Sequence, residues 1–120
     1  MLREFEKVRQ DSRGHRRLFI SEKYELYLWY TDSSRQSLTG FQLVYFENDE
    51  QKAYTWRKDS GSNLTKVDGW DSNRFNRTPI LVADGQADFR FLQGEMEREL
   101  AELEPKVREL VRTELGNEIK

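Results

Sequence analysis

The chain has 120 residues, of which 36% are hydrophobic and 35% charged, with a net charge of −2 and no cysteine. This length fits one domain, and the missing thiols exclude disulfides, thiolate nucleophiles and zinc sites with cysteine ligands. The small net charge excludes the strongly basic surface of a dedicated DNA-binding protein. We expect one soluble domain over residues 1–120, with an antiparallel sheet and loops at 15–83 and a helical segment at 86–115.

Charge is spread unevenly, because residues 1–36 carry a net +2 and residues 79–120 carry −4. The N-terminal residues lack the apolar core of a signal peptide. No stretch approaches the ~20 apolar residues that span a bilayer, so no membrane partner is expected. A chain without cysteine is typical of a reducing compartment, and we therefore expect a cytoplasmic protein.

The N-terminal half reads mainly as strands. Leu2, Phe5 and Val8 lie three residues apart and predict a short helix over 2–9, although a strand-like start fits so short a pattern equally well. Strands are predicted where aromatic and β-branched residues lie between turn residues. Their ranges are 15–21, 24–31, 38–46, 52–58 and, after a Gly/Ser loop at 59–63, 64–67. The apolar run 79–82 is interpreted as an edge strand or a packed lead-in, because Pro79 cannot donate within a ladder.

The C-terminal third changes to a helical period. Apolar residues fall at steps of three and four along one helical face; they are Phe89, Leu92, Met96, Leu100 and Leu103. Pro105 either kinks this helix or begins a second one, and an apolar stripe continues to Gly116. The sequence therefore predicts an α+β fold, a twisted antiparallel β-meander of four to six strands packed against a C-terminal helix or broken helix pair.

The central strands are apolar on both faces. Alternation places Tyr27 and Trp29 opposite Leu26, Leu28 and Tyr30, and it places Tyr54 and Trp56 opposite Ala53, Thr55 and Arg57. A sheet with one face in water shows polar residues on that face. Both faces are therefore expected to contact something, and the C-terminal helices account for one of them.

Three kinds of cover fit the second face. In the simplest, a curled sheet and its loops enclose the aromatic residues as ordinary core. A second subunit or a protein partner is the next alternative, and a small-molecule cleft is the third. The residues assigned to such a ligand or partner surface are Tyr27, Trp29, Tyr54, Trp56, Arg57, Asp68, Trp70 and Arg74.

No catalytic, metal or cofactor site is predicted. His15 is the only histidine and is flanked by Arg16 and Arg17, so it is expected at the surface. Neither a Gly-x-Ser-x-Gly elbow nor a phosphate-binding Gly-x-x-x-x-Gly-Lys loop is present. Residues 68–73 carry several oxygen-bearing side chains but lack the spacing of a calcium loop, so they are interpreted as a turn. These absences favour a non-catalytic protein.

Three functional hypotheses follow. The leading one is a non-catalytic binding or protein-interaction module, in one form a homodimer through an aromatic sheet face. The alternative is a small-ligand-binding protein or enzyme with a cleft between the sheet and loop 59–78, lined by Trp56, Asp68, Trp70 and Arg74. The second alternative is a single-stranded nucleic-acid binder, which stacks bases beside cations; the candidate cations are Arg13, Arg16, Arg17, Arg57, Lys58, Arg74 and Arg77. The neutral middle segment speaks against this last hypothesis.

A set of short motifs carries a family resemblance. The runs are Gly40-Phe41-Gln42-Leu43-Val44-Tyr45, Thr55-Trp56-Arg57, Val67-Asp68-Gly69 and Thr78-Pro79-Ile80-Leu81-Val82-Ala83-Asp84-Gly85. This pattern, spread over residues 15–115, resembles small bacterial proteins without assigned function. The resemblance implies a bacterial cytoplasmic origin. It includes no catalytic motif and therefore transfers no functional residue.

Overall fold

The computed structural model describes residues 1–8, 10, 14–47, 50–66, 80–81 and 88–119. Within these residues, seven strands pair in chain order to form one antiparallel sheet, and two helices follow. The strands are β1 (Arg3–Phe5), β2 (His15–Ile20), β3 (Tyr24–Tyr30), β4 (Leu38–Glu47), β5 (Glu50–Arg57), β6 (Gly61–Lys66) and β7 (Ile80–Leu81), and the helices are α1 (Phe89–Glu99) and α2 (Pro105–Asn117). The predicted α+β meander with a broken helix pair is confirmed: β2 to β6 form its body, and the short β1 and β7 form its edges.

The sheet is built from hairpins between neighbouring strands. Side chains of β3 alternate between buried and half-buried along its whole length, as expected for a strand with one face in the core. A tight turn joins β2 to β3, in which the Ser21 amide donates to the Tyr24 carbonyl oxygen at 2.9 Å. Between β5 and β6 the chain reverses before Gly61. The φ of Gly61 is +80°, a backbone conformation that favours glycine. As a result β6 begins inside the segment that was predicted to be a Gly/Ser loop.

The N-terminal residues form a strand, so the helix predicted over 2–9 is wrong and the strand-like alternative is correct. Arg3 pairs with Ile20 and Phe5 pairs with Leu18. Leu2 is buried in the core at 1% exposure, whereas Phe5 is 45% exposed on the opposite side of the sheet. Their spacing of three residues is compatible with a helix, but in an extended chain it places the two side chains on opposite faces.

The two helices are separated at Pro105. Helix α1 begins after Asp88, whose side chain accepts a hydrogen bond from the Phe91 amide at 3.1 Å and caps the first turn. Pro105 occupies the start of α2, where a missing N–H costs no helical hydrogen bond. Pro105 therefore opens a second helix. Neither described helix is both long and apolar enough to cross a membrane.

The core lies between the two helices and one face of the sheet. Among its most buried members are Leu26, Leu28, Phe41 and Leu43 from the sheet, and Leu92, Met96, Val111 and Leu115 from the helices. Complete burial of one such side chain stabilises a fold by about 1.5–3 kcal/mol. The two helices therefore cover one face of the meander.

Candidate interaction surface

The sheet face opposite the helices is called the outer face. Its residues are fixed by the register, since directly paired residues share a face. A row here is a set of outer-face residues that are paired across neighbouring strands. The first row contains Arg16, Trp29, Gly40 and Arg57, and the second contains Phe5, Leu18, Tyr27, Gln42, Thr55 and Asn63. The third row contains Arg3, Ile20, Glu25, Val44, Ala53 and Thr65. The described outer face thus combines aromatic, aliphatic and arginine side chains across five strands.

Trp29 and Arg57 form a preorganised pair over Gly40. A Cβ atom added to Gly40 would lie 2.5 Å from the carbonyl oxygen of Trp56 and 3.1 Å from Cε3 of Trp29. The indole of Trp29 therefore lies where any other residue at position 40 would have its side chain. The Arg57 guanidinium lies 4.2 Å from the Trp29 ring centroid, in cation–π geometry. Arg57 is exposed and forms no ion pair within the described part of the chain.

The second row is polar on β4 and β5. The Gln42 side-chain amide donates to the Thr55 hydroxyl at 3.0 Å. Tyr27 lies beside Gln42 in the register and is half-buried. This row places a hydrogen-bonding strip next to the Trp29–Arg57 pair.

Exposed apolar side chains lie on the same face near its β1 edge. Phe5, which pairs with Leu18 in the second row, is 45% exposed, and Ile20 in the third row is 36% exposed. Val44 and Ala53, also on the outer face, are buried as a small separate cluster. Exposed apolar side chains that share one face are characteristic of interaction sites.

The structure separates the residues that were assigned to one surface. Tyr27, Trp29 and Arg57 lie together on the outer face. Tyr54 and Trp56 lie on the helix-covered face, where each ring packs 6.0 Å from that of Phe41. Asp68, Trp70 and Arg74 lie outside the described residues, as does most of the cleft proposed beside loop 59–78.

Tyr54 belongs to the core rather than to an exposed surface. It is 1% exposed, and its hydroxyl donates to the Glu114 carbonyl oxygen at 3.2 Å. Burial raises the pKa of this hydroxyl above its ordinary value, and hydrogen bonding from Ser62 opposes the rise. Tyr54 therefore anchors the end of α2 to the sheet.

The predicted cation patch is also divided. Arg17 lies on the helix-covered face and is only 8% exposed. Its guanidinium donates to both carboxylate oxygens of Glu4, at 2.8 and 2.9 Å, and to Glu104 at 2.8 Å. The hydrogen bond from Arg17 lowers the pKa of Glu4, although partial burial opposes this effect. Arg17 thus joins β1, β2 and the connection between the helices, and it does not face the same way as Arg16.

Arg57 and Lys58 remain exposed at the end of β5, whereas Arg13, Arg74 and Arg77 lie outside the described residues.

The single histidine forms a hydrogen bond with a nearby arginine, because Arg35 Nε donates to His15 Nε2 at 3.1 Å. No group of three or more histidine or acidic side chains in the described part of the chain is placed to hold a metal ion.

Two grooves in the described part of the chain lie beside the helices. One, of about 340 Å³, runs between α1 and α2 and is lined by Met96, Leu100, Pro105 and Arg108. The other, of about 250 Å³, lies between β1 and the helix connection and is lined by Leu2, Arg17, Leu103 and Val107. Neither of these two grooves includes the Trp29–Arg57 pair.

Comparisons of this chain with family models, with curated proteins and with solved structures give no match. The similarity to small bacterial proteins therefore stays a prediction. The outer face is the candidate interaction surface among the described residues. One signal for it is present in the sequence: Gly40 lies inside a predicted strand, where a glycine often marks close approach by another group.

Proposed function

We propose that this protein is a non-catalytic interaction module that binds a protein partner through the outer face, in the bacterial cytoplasm. The observation that carries the proposal is the Trp29–Arg57 pair, with the guanidinium 4.2 Å from the ring centroid and no ion pair for Arg57 among the described residues. Tryptophan, tyrosine and arginine are the residues most enriched where interfaces concentrate binding energy.

Preorganisation strengthens this argument. Trp29 is held over Gly40 by the backbone of β4 and β5, so binding requires little further ordering of its ring. Phe5 and Ile20 supply apolar area, and Gln42 and Thr55 supply a hydrogen-bonding strip. An apolar and aromatic centre with polar surroundings is the usual composition of a protein interface.

The two alternative functions receive less support. Arg17, one of the cations expected to contact nucleic acid, is occupied by Glu4 and Glu104 on the other face of the sheet. Trp56, the described member of the proposed ligand cleft, stacks on Phe41 at the core. The protein-interaction hypothesis uses the residues that remain accessible, Trp29 and Arg57.

Site-specific photo-crosslinking tests the proposal. A photoreactive amino acid replaces Thr55 on the outer face, and a matched variant carries it at Thr113 on the exposed side of α2. We expect a discrete crosslinked product in cells from position 55, its loss on adding Trp29→Ala, and no such product from position 113. A product with twice the mass of the chain identifies the homodimer form.

The opposite results overturn the proposal. They are an absence of product at position 55, or the same products at positions 55 and 113. Circular dichroism of the Trp29→Ala chain provides the folding control, so that a lost crosslink is not a consequence of unfolding.

A further inference from the structure

We infer that the partner of the outer face is an extended acidic segment of another protein, with apolar residues between its acidic ends. This inference rests on the proposed function and specifies its ligand. It follows from the charges of the outer face, from the apolar side chains between them, and from the distance that separates the two exposed arginines.

The outer face is positive in a molecule that is otherwise acidic. Among the described residues, the charged side chains in its three rows are Arg3, Arg16 and Arg57, against Glu25. The helical region, residues 88–119, carries nine acidic and five basic side chains. Arg3 and Arg57 are exposed, and neither forms an ion pair within the described part of the chain. Complementarity of charge therefore selects an acidic ligand for this face.

The spacing of these arginines sets the length of the ligand. Arg3 and Arg57 are four strands apart, and their rows are separated by four residues along a strand. At ordinary strand spacing and rise this amounts to about 23 Å, or about seven extended residues. A diagonal path between them passes between Leu18 and Ile20 on β2 and crosses Tyr27 on β3. Acidic side chains at both ends and apolar side chains between them match this path.

A second copy of the chain fits less well. A two-fold dimer through the outer face would bring the same arginine-bearing surface against itself, and juxtaposed like charges cost several kcal/mol. A single-stranded nucleic acid also fits less well, because phosphates leave the exposed apolar side chains of Phe5 and Ile20 unused.

Fluorescence anisotropy with the full chain tests the inference. The probe is a labelled peptide of about nine residues, with Asp-Asp at one end, Glu-Glu at the other and Leu, Phe and Ser between, long enough for the path between the arginines. Its control replaces the four acidic residues with lysine. We expect the acidic peptide alone to bind, and its affinity to fall when salt is raised from about 50 to about 500 mM.

Charge reversal provides the matched variants. Arg57→Glu is expected to weaken binding of the acidic peptide about tenfold or more, because an attraction becomes a repulsion. Arg90→Glu makes the same change on an exposed position of α1, away from the outer face, and is expected to leave the affinity unchanged. Circular dichroism confirms that both variants are folded.

Four outcomes would overturn the inference. The first two are that the acidic peptide does not bind, or that the lysine peptide binds with equal affinity. The third is that a dT oligonucleotide of about twelve nucleotides binds more tightly than the acidic peptide. The fourth is that light scattering shows a concentration-dependent dimer that Arg57→Glu strengthens. The crosslinking experiment distinguishes these failures from failure of the proposed function. A partner captured at position 55 with no acidic-peptide binding leaves the interaction module standing and removes only the acidic ligand.

Discussion

The helix-covered face and the outer face belong to the same strands but differ in what their side chains contact. On the helix-covered face, Leu28 and Phe41 are fully buried against α1 and α2, and the buried Arg17 has two carboxylate partners. On the outer face, Trp29 is half-buried, and Arg57 contacts its ring and forms no ion pair in the described part of the chain. Helices α1 and α2 cover the first face, whereas the second keeps Trp29 half-buried and Arg57 exposed.

Aromatic content alone does not distinguish the two faces of this sheet. Tyr54 and Trp56 pack against Phe41 on the helix-covered face, and Tyr27 and Trp29 are half-buried on the outer face, although β3 and β5 are separated by one strand only. Substitutions on the two faces should therefore separate stability from binding.

The largest effect is expected from Leu28→Ala on the helix-covered face. Leu28 is fully buried, so its truncation removes apolar contacts and leaves a cavity. We expect a loss of about 2–5 kcal/mol in the free energy of unfolding, measured by urea denaturation. Asn63→Ala, on an exposed position of the outer face, should change it by less than about 0.5 kcal/mol. Similar losses for the two variants would contradict the division into a core face and an outer face.

The next largest effect is expected from Gly40→Ala, which tests the backbone beneath Trp29. The added Cβ would lie 2.5 Å from the Trp56 carbonyl oxygen, so β4 and β5 must shift apart. We expect a destabilisation of about 1–3 kcal/mol and a red-shifted, more quenched Trp fluorescence. Gly94→Ala is the control, because an added Cβ there meets nothing within 4 Å. It should stabilise α1 by about 0.5–1 kcal/mol, and a destabilising Gly94→Ala would count against this account.

A smaller, pH-dependent effect is expected from Glu4→Gln. The pKa of Glu4 is lowered by its hydrogen bond to Arg17, with smaller contributions from Arg35 and His15. A carboxyl group with a lowered pKa stabilises the fold above its unfolded pKa and loses this contribution as the pH falls. Glu4→Gln should therefore cost about 1 kcal/mol near pH 6, and the difference from the parent chain should shrink toward pH 3.

Urea titrations at several pH values measure this difference, with Glu102→Gln as a control. Glu102 is exposed and forms no ion pair within the described part of the chain. Its substitution should change the free energy of unfolding by less than about 0.5 kcal/mol near pH 6. A difference for Glu4→Gln that does not shrink toward pH 3 would mean that the ion pair with Arg17 does not stabilise the fold.

The smallest effect on stability is expected from Arg57→Ala. This variant separates binding from stability most clearly. Arg57 is exposed and contacts Trp29, so its removal should change the free energy of unfolding by no more than about 0.5 kcal/mol. The same variant should reduce photo-crosslinking from position 55. A large loss of stability with crosslinking intact would assign Arg57 to the fold and not to binding.

Much of the fold was predictable because its signals are local. Strand alternation and the helical period from Phe89 to Leu115 predicted the α+β fold class and the broken helix pair. Alternation also placed Trp56 and Arg57 on opposite faces of the sheet. The short N-terminal pattern was ambiguous because three apolar residues cannot distinguish the two periods. The N-terminal residues form a strand because they pair with β2.

The site was less predictable because it depends on register and on distant partners. Arg17 and Glu104 are 87 positions apart in the chain, so no local pattern revealed that Arg17 is withdrawn from the cation patch. The Trp29–Arg57 contact requires that β3, β4 and β5 align at Gly40, which hydrophobic pattern alone does not specify.

The order of the strands has a further consequence for synthesis on the ribosome. Each strand in the described part of the chain pairs with its neighbour in sequence, so hairpins can close soon after they emerge, and contacts of this local kind favour fast folding. The helices that cover Leu28 and Phe41 come last, ending at Asn117. At roughly 5–20 residues per second, the interval between the end of β6 and the end of α2 lasts several seconds. During that interval the nascent sheet exposes its future core, so this is the period in which the chain most needs protection from aggregation.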